Sequence, residues 1–265
     1  MQTIPQKTPI TYYGGKQKIA KWVISHFPKH ESYIEPFAGG LAVFFAKLRR
    51  AKIEVINDLN SEVYNFYLQY RENPSELIRA LEATPYSLED YEHCKKVYKG
   101  TNRANDLERA RAFFICANSA FGGVLGRGWS RGPVCSGGSH FPQRIISKVN
   151  SLKSLSSRLR GVYIENKNAL DVIKYWDREG SFFYLDPPYP ETDQGHYSGY
   201  SINHFNGLLS LLKNIKGKFL LSCYLKDGMN LCPSWATSHK NVKSTVKQKA
   251  SGKETERTET LIYNY

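Results

Sequence analysis

Short apolar runs alternate with helical apolar spacing near the start of the chain. Residues 32–37 and 52–56 have the composition of strands, and residues 41–50 between them repeat apolar positions as a helix does. A tight turn at 38–40 joins the first strand to that helix, and residues 16–27 predict a short helix before it. This order predicts a strand–turn–helix–strand unit of the βαβ type.

The chain then loses this alternation and regains it after about residue 160. Helical spacing dominates the middle of the chain, where helices are predicted at about 61–72, 75–83, 88–98, 105–120 and 143–160. A Gly-rich, Arg-bearing loop from Gly122 to Gly138 interrupts them. The later alternation predicts strands at 162–165, 182–186, 218–222 and 259–265, and helices at 169–177 and 202–215.

An α/β sheet interrupted by a mainly helical insertion accounts for this pattern. We expect one sheet domain built from residues 1–71 and 151–265, with residues 72–150 inserted between its halves. Ligands of open α/β sheets bind outside the carboxyl ends of the strands. Acidic residues that directly follow a predicted strand are therefore candidate site residues.

The charge of the chain indicates a polyanionic partner. The net charge is +13, and residues 99–160 carry eleven lysines and arginines against two acidic residues. A second group of lysines lies at 240–253. A single run of charge is usually only a solvated face, but a segment this basic between two sheet halves favours nucleic acid.

The remaining composition excludes several classes of protein. The five cysteines are scattered without a Cys-x-x-Cys pair, which predicts reduced thiols and neither a zinc site nor a disulfide framework. No apolar stretch has the length of a membrane span, and the first residues lack the apolar core of a signal peptide. We therefore expect a cytoplasmic protein that binds no metal.

Asp186-Pro187-Pro188-Tyr189 follows the apolar run 181–185 and is the most informative motif of the chain. The two prolines end the strand in a stiff turn that offers acceptors, the Asp186 carboxylate and the Pro187 carbonyl, and few donors. Tyr189 adds an aromatic face. Two acceptors beside a stacking surface suit the exocyclic amino group of a planar base.

The turn Pro36-Phe-Ala-Gly-Gly40 gives the backbone room for a ligand above the first strand. Asp58 follows Gly39 by nineteen residues, at the end of the second strand, where a carboxylate can accept both hydroxyls of a ribose. No G-x-G-x-x-G and no G-x-x-x-x-G-K-[ST] is present, so a nucleoside cofactor without a pyrophosphate fits better. S-adenosylmethionine is the candidate, and an ordinary βα turn with a surface acid is the alternative.

Tyr12-Tyr13-Gly14-Gly15-Lys16 completes a specific order of motifs. In this turn the aromatics can stack on a ligand and Lys16 can neutralise a carboxylate. The order of this turn, Glu35-Pro-Phe-Ala-Gly-Gly40, Asp58, an insertion and Asp186-Pro-Pro-Tyr189 resembles Dam-type, alpha-group DNA adenine-N6 methyltransferases. The ending 257–265 is also similar to the C-terminus of that family, so the resemblance covers essentially the whole chain.

The resemblance implies a sheet of the S-adenosylmethionine-dependent methyltransferase (Rossmann-like) type, with the insertion as target-recognition region. Asp186, Pro187, Pro188 and Tyr189 would be catalytic. The cofactor site would be lined by Tyr12, Lys16, Phe37, Gly39, Asp58, Asn168 and Asp186, with Asp58 on the ribose and Asn168 at the adenine edge. Two departures bear on cofactor affinity: Tyr12-Tyr13 replaces a Trp-Ala pair, and Asn168 stands where relatives often carry Asp.

The expected activity is methylation of N6 of an adenine flipped out of a short motif in double-stranded DNA, for which GATC is one candidate. DNA contacts are expected from Arg127, Trp129, Arg131, Arg144 and Lys148, although Trp129 could equally belong to the core. Residues 190–201 could form a flap over the site. We expect the chain to act as a monomer, with a restriction endonuclease as a possible partner.

Other functions fit parts of the same pattern. Cytosine N4 offers the same exocyclic amino group to the same acceptors, and an RNA base would present similar chemistry. A catalytically silent nucleic-acid-binding protein could keep the fold, although the intact Asp186 and Asp58 argue against it. An NAD(P) enzyme would leave the missing G-x-G-x-x-G and the basic insertion unexplained.

Overall fold

The structure, a computed structural model, describes residues 6–121, 124–131, 140–189, 200–225, 229–243 and 256–265. Within these residues the chain forms a seven-stranded sheet in the order β3-β2-β1-β4-β5-β7-β6. The strands are β1 Ser32–Glu35, β2 Ile53–Asn57, β3 Tyr163–Glu165, β4 Ser181–Leu185, β5 Lys218–Cys223, β6 Ala236–Lys243 and β7 Glu256–Tyr263. β1 to β5 are parallel, and β7 runs antiparallel to both β5 and β6.

The helices cover both faces of this sheet and form the segment between β2 and β3. They are α1 Ala20–Ser25, α2 Ala42–Ala46, α3 Ser61–Glu72, α4 Pro74–Glu82, α5 Leu88–Tyr98, α6 Asp106–Ser119, α7 Phe141–Leu155, α8 Ala169–Trp176 and α9 Ile202–Leu212. Short 3-10 helices at Lys16–Lys18 and Ser156–Leu159 complete the described helical structure. The α/β fold class predicted from the sequence is confirmed.

The central strand β4 is formed by an apolar run of the sequence. All five of its side chains are buried, because parallel neighbours on both sides and helices on both faces leave none of them in water. The strand order reverses between β1 and β4, since β1 pairs with β2 on one side and with β4 on the other. This reversal marks the switch point at which doubly wound sheets bind ligands.

One hydrophobic cluster joins the sheet to the middle segment. It includes Phe182 of β4, Phe44 of α2, Phe113 of α6 and Leu152 of α7, all fully buried. A second cluster packs α8 and α9 against the other face of the sheet. The middle helices therefore share a core with one face of the sheet, and the division at residues 72 and 150 stays a prediction.

The structure differs from the sequence-based elements at helix ends and at one strand. The predicted helix 41–50 ends at Ala46, because Lys47 is extended and sends its ammonium to buried Glu54. The predicted helix 143–160 begins at Phe141 and tightens into a 3-10 turn after Leu155. β6 was not predicted, because its sequence is polar and largely exposed, as an edge strand can be.

Candidate active site

The carboxyl ends of β1, β2 and β4 and the N-terminal turn meet at one edge of the sheet. Asp186 directly follows β4, Asp58 directly follows β2, and Gly39 lies in the turn after β1. Lys16 begins the 3-10 turn that packs beside them. The sequence motifs that were far apart along the chain are therefore neighbours at the switch point.

Asp186 is held by an ammonium group. The Nζ of Lys16 donates to Asp186 Oδ1 at 2.7 Å and to the Gly14 carbonyl at 3.1 Å. The Tyr189 hydroxyl lies 3.4 Å from the same oxygen, Oδ1. Within the described residues, the side-chain hydrogen bonds of Asp186 thus involve Oδ1, which leaves Oδ2 its capacity to accept a further donor.

A second carboxylate lies behind this pair. Glu259 of β7 is 2% exposed, and its Oε1 accepts hydrogen bonds of 2.6 Å from both the Tyr189 hydroxyl and the Ser222 hydroxyl. The same oxygen is 3.8 Å from Lys16 Nζ. Tyr189 therefore has its hydroxyl fixed at one end, while its ring lies 5.0 Å from the Lys16 ammonium.

Burial perturbs the acids of this cluster. It raises the pKa of Asp186 to about 6, although the neighbouring Lys16 ammonium lowers it. Burial alone would lower the pKa of Lys16, but the carboxylates of Asp186 and Glu259 together raise it above its ordinary value. Burial also raises the pKa of Glu35, at the end of β1, to about 8, against the opposing hydrogen bond from the Tyr33 hydroxyl.

Gly39 and Asp58 form a backbone cradle under the ring of Tyr12. The Gly39 N–H donates to Asp58 Oδ2 at 2.8 Å, and the Asn60 N–H donates to Oδ1 at 2.9 Å. Gly39 has φ +45°, and a Cβ built on it would lie 3.0 Å from the Tyr12 ring. Burial raises the pKa of Asp58 to about 6, partly opposed by these two N–H groups.

The other predicted cofactor residues lie on the same edge. Phe37 follows β1 and packs half-buried against the cluster of α8 and α9. Asn168 follows β3, is exposed, and caps α8 by accepting from the Leu170 N–H at 2.9 Å. Pro187 is buried and Pro188 half-buried in the turn after Asp186.

Sequence reasoning missed two buried acids of the site. Glu35 was quoted only as part of a motif, and Glu259 only as part of a similar C-terminus. The available signal was an acidic residue beside apolar strand residues, since Glu35 follows Tyr33 and Ile34 and Glu259 precedes Leu261 and Ile262 by two and three positions. Such a residue needs partners to be buried, and partners imply a polar site.

The predicted DNA-contact residues lie on the middle segment, beside the N-terminal turn. Arg127 and Arg131 are exposed in the loop after α6. Trp129 is half-buried against the core, with its ring 5.1 Å from that of Tyr86, so it has the packing role that the sequence left open. Asn118, near the end of α6, accepts from the Thr11 N–H at 3.0 Å and ties the end of this helix to the N-terminal segment.

Arg144 and Lys148 lie on one face of α7. The Arg144 guanidinium lies 5.7 Å from the Phe141 ring, and Lys148 Nζ donates to the Thr8 carbonyl at 3.3 Å. Burial, with nearby Arg144 and Lys7, lowers the pKa of Lys148 to about 8. The residues 190–199 of the expected flap, and residues 122–123 and 132–139 of the Gly-rich loop, lie outside the described residues.

The described part of the chain contains no group of three or more His, Cys, Asp and Glu side chains that could hold a metal ion. None of the helices in these residues is long and apolar enough to cross a membrane. Cys94, Cys116, Cys223 and Cys232 are free thiols, and Cys135 lies outside the described ranges.

Sequence comparisons identify relatives over most of the chain. The type II methyltransferase M.MjaIII of Methanocaldococcus jannaschii is 27% identical over 216 residues, which cover 74% of each protein. The type II methyltransferase M1.LlaDCHI of Lactococcus lactis subsp. cremoris is 28% identical over 203 residues, covering 73% of this chain and 69% of the relative. A DNA N-6-adenine-methyltransferase of Escherichia phage P1 is 24% identical over 74% of this chain, but over only 26% of its own length.

The profile of one protein family matches residues 12–254, which include the N-terminal turn, the Gly39 cradle, Asp58 and the Asp186 motif. The family is described by its adenine specificity, so the expectation of adenine is confirmed and the cytosine-N4 alternative is not supported. Enzymes of this family transfer a methyl group to DNA, which also argues against the NAD(P) and silent-binder alternatives. The chain belongs to the D12 class of N6 adenine-specific DNA methyltransferases.

Proposed function

We propose that this edge of the sheet binds S-adenosylmethionine in the cradle of Gly39 and Asp58 and presents a flipped adenine to Asp186. The observation that carries the proposal is the orientation of the Asp186 carboxylate at the switch point, with one oxygen held and the other able to accept a hydrogen bond. Lys16 fixes its Oδ1, and Oδ2 keeps its capacity to accept. An oriented acceptor at this position suits an exocyclic amino group.

The cradle fits a nucleoside cofactor. Methyltransferases in general take their methyl group from S-adenosylmethionine, and a carboxylate at the end of β2 suits the ribose hydroxyls. Asp58 is 6% exposed, and each of its oxygens has one backbone donor and a further lone pair. The Tyr12 ring lies close to Gly39, where only a residue without a side chain leaves it in place. Phe37 and Asn168 extend the proposed site along the same edge.

Lys16 enters the proposal as the partner of Asp186. The sequence suggested that Lys16 could neutralise a carboxylate. The buried ammonium of Lys16 contacts the carboxylate of Asp186. A contact with the cofactor carboxylate would compete with this ion pair. We therefore assign Lys16 the task of orienting Asp186 beside the cofactor.

The proposed chemistry overcomes the low nucleophilicity of adenine N6, whose lone pair is delocalised into the ring. Hydrogen bonds from the amino group to Asp186 Oδ2 and to the Pro187 carbonyl favour a more tetrahedral nitrogen with its lone pair exposed. S-adenosylmethionine, when bound, would supply an electrophilic methyl group on a sulfonium sulfur, which would keep the electron pair of the broken carbon–sulfur bond and leave as a neutral thioether. As N6 gains the methyl group it becomes cationic, and the Asp186 carboxylate accepts the proton that it releases.

The pKa of Asp186 suits this role. A value of about 6 leaves the group ionised at pH 7 to 8, so that it accepts from the amino group. The same value makes it a better base than an ordinary aspartate for the departing proton.

Tyr189 would stack on the flipped base. Extrusion of a base from duplex DNA costs a few kcal/mol, and stacking on an aromatic side chain returns about 1–3 kcal/mol. The hydroxyl of Tyr189 is tied to Glu259 at 2.6 Å, so its ring is held before the base arrives. A fixed ring loses less side-chain entropy on binding.

The DNA contacts are proposed on the middle segment and on the strand pair β6–β7. Arg127 and Arg131 are exposed in the loop after α6 and suit guanine edges, while Arg144 and Lys148 suit phosphates. Lys240 of β6 and Arg257 of β7 add cations on strands that extend past the carboxyl end of β5. Residues 72–150 would thus read the target and the sheet would perform the chemistry.

The cellular role is part of the same proposal. Two relatives are type II methyltransferases, which supports a modification role beside a restriction endonuclease. One flipped base needs one active site, which supports action as a monomer. Chromosomal or phage DNA as substrate supports a cytoplasmic location.

The test is sequencing, with detection of modified bases, of DNA from methylation-deficient cells that express the chain or its Asp186→Ala variant. N6-methyladenine in one short motif, absent with the variant, is the expected result, and GATC is the first motif to inspect. With purified protein, Asp186→Ala should lower kcat at least ~10²-fold. Asp171→Ala, which removes an exposed acid of α8, is the matched control and should leave kcat unchanged. Wild-type turnover by Asp186→Ala would refute the proposed site.

A further inference from the structure

We propose that Glu259 is a positioning residue for methyl transfer, which acts through Tyr189 and Lys16 to fix the orientation and charge of Asp186. The proposal rests on the proposed function, because it gives Glu259 a role in the same site. It adds the strand β7, at the far side of the sheet, to the elements that determine the rate.

Glu259 occupies a position that a strand of this sheet would ordinarily fill with an apolar side chain. Its neighbours in β7, Thr260, Leu261 and Ile262, are as buried as it is. Burial of a carboxylate is costly unless donors surround it. Glu259 has three polar groups around one oxygen: two hydroxyls at 2.6 Å and the Lys16 ammonium at 3.8 Å.

These contacts constrain both neighbours of Asp186. Tyr189 donates to Glu259 at 2.6 Å and lies 3.4 Å from Asp186 Oδ1, so the stronger bond holds the phenol toward β7. Lys16 is fixed by Asp186, by the Gly14 carbonyl and by the attraction of Glu259. Removal of the Glu259 charge would therefore loosen Tyr189 and Lys16, the two groups that orient Asp186.

The charges of the cluster make this role measurable. The titratable groups packed around Asp186 come from five elements: Lys16 of the N-terminal turn, Glu35 of β1, Tyr184 and Tyr189 at β4, Cys223 and Tyr224 at β5, and Glu259 of β7. The negative charge of Glu259 raises the pKa of both Asp186 and Lys16. Loss of that charge should therefore lower both pKa values, and the pH range of activity should move toward acid.

The experiment compares Glu259→Gln with the wild type. The amide has the same shape and can still accept from Tyr189 and Ser222, so the substitution removes mainly the charge. We would measure kcat/KM for a duplex with one target adenine, at saturating S-adenosylmethionine, from pH 5 to 10. The acid limb should move down by about one unit. A loss of rate at the alkaline end of this range that begins at lower pH than in the wild type should report the lowered pKa of Lys16.

Ser222→Ala is the matched control. It removes a 2.6 Å hydrogen bond to the same Glu259 oxygen without changing any charge, so its acid limb should coincide with that of the wild type. A shift of the Ser222→Ala profile as large as that of Glu259→Gln would show that loosened packing, and not charge, moves the limb. That result would overturn the proposal, as would an unshifted profile of folded Glu259→Gln.

A second variant covers the case in which Glu259→Gln does not fold. Glu259→Asp keeps the charge but withdraws it by one methylene, so its acid limb should stay in place while kcat falls at least ~10-fold. Wild-type kcat in this variant would count against a positioning role. Asp186→Ala, assayed in parallel, separates failure of the proposed function from failure of this inference. If Asp186→Ala still methylates DNA, the proposed active site is refuted. If Asp186→Ala is inactive but the Glu259 variants behave as the wild type does, only the inference about Glu259 is refuted.

Discussion

Replacement of Glu35 by Gln should stabilise the ligand-free protein in alkaline solution. Glu35 is 3% exposed, and its one side-chain hydrogen bond among the described residues comes from the Tyr33 hydroxyl at 2.7 Å. Burial raises its pKa from the ordinary 4.5 to about 8. The folded protein therefore keeps this carboxyl protonated at neutral pH, whereas the unfolded chain ionises it.

The sign and size of the effect follow from linkage between proton binding and folding. Because the folded pKa is raised, the stability that the protonated group contributes is fully present below pH 4.5 and is lost as the pH rises through 8. One pKa unit corresponds to 1.36 kcal/mol, so a shift from 4.5 to about 8 gives at most about 5 kcal/mol. Relaxation around the charged group reduces this, and we expect about 2–5 kcal/mol between about pH 5 and pH 9.5.

Urea unfolding of both proteins at several pH values measures this quantity. Groups distant from Glu35 titrate alike in the two proteins, so the change with pH in their difference in unfolding free energy reports on Glu35 and on the groups coupled to it, such as Tyr33 and Asp186. Gln at this position has no charge to bury. The free energy of unfolding of the variant should therefore rise relative to that of the wild type as the pH rises. Parallel stability curves from pH 5 to 9.5 would show that Glu35 is not a buried neutral acid.

Glu54→Gln is the matched control, because Glu54 is equally buried but paired. It contacts Lys47 at 2.7 Å and also Arg158, and these cations lower its pKa in spite of burial. Its contribution to stability is therefore present above pH 4.5 and lost as the pH falls through the lowered pKa. The Gln variant should lose about 3–5 kcal/mol at neutral pH, because two buried cations remain without their partner. The two substitutions should move stability in opposite directions in alkali.

Three further predictions concern activity and binding. The kcat/KM of the wild type should fall below about pH 6, since protonation of Asp186 removes the acceptor; a flat profile from pH 5 to 8 would contradict its role. Gly39→Ala should weaken S-adenosylmethionine binding about 10-fold in calorimetry, because a positive φ costs ~1–2 kcal/mol and the new Cβ displaces the Tyr12 ring. Gly207→Ala, whose Cβ meets nothing within 4 Å, should bind S-adenosylmethionine as tightly as the wild type does. Equal affinity of the two variants for S-adenosylmethionine would refute the proposed binding site at Gly39. DNA affinity should fall at least ~10²-fold between about 50 and 200 mM salt, and Arg144→Gln should reduce the slope by about one because Arg144 is assigned to a phosphate; a salt-independent affinity would exclude the basic footprint.

The sequence predicted those parts of the molecule that local chemistry determines. β4 is a buried apolar run that ends at two prolines, so both its position and the exposure of Asp186 at its end follow from neighbouring residues. Asp58 and Gly39 could likewise be placed from a strand–turn–helix–strand order. The fold class and a site for an exocyclic amino group followed from these local signals, whereas the choice of adenine rested on the resemblance of the whole chain to a known family.

The parts that depend on distant pairing could not be predicted. The role of Glu259 requires the antiparallel register of β7 on β5, in which Cys223 lies opposite Thr260. β6 has a polar sequence and becomes a strand only because β7 offers its edge. Lys16 was expected at the cofactor, but its ion pair with Asp186 depends on how the N-terminal turn packs against β4.

The Lys16–Asp186–Glu259 cluster has a consequence for the order of folding. Lys16 and Asp186 are 170 positions apart in the chain, and Tyr189 and Glu259 are 70 apart. Contacts of such long range form slowly, because closing long loops costs entropy before the contacts stabilise them. The helices between β2 and β3 can form from local contacts, but the active site exists only once the sheet has closed from β1 to β7. During refolding, helical circular dichroism should therefore recover first and methyltransferase activity last.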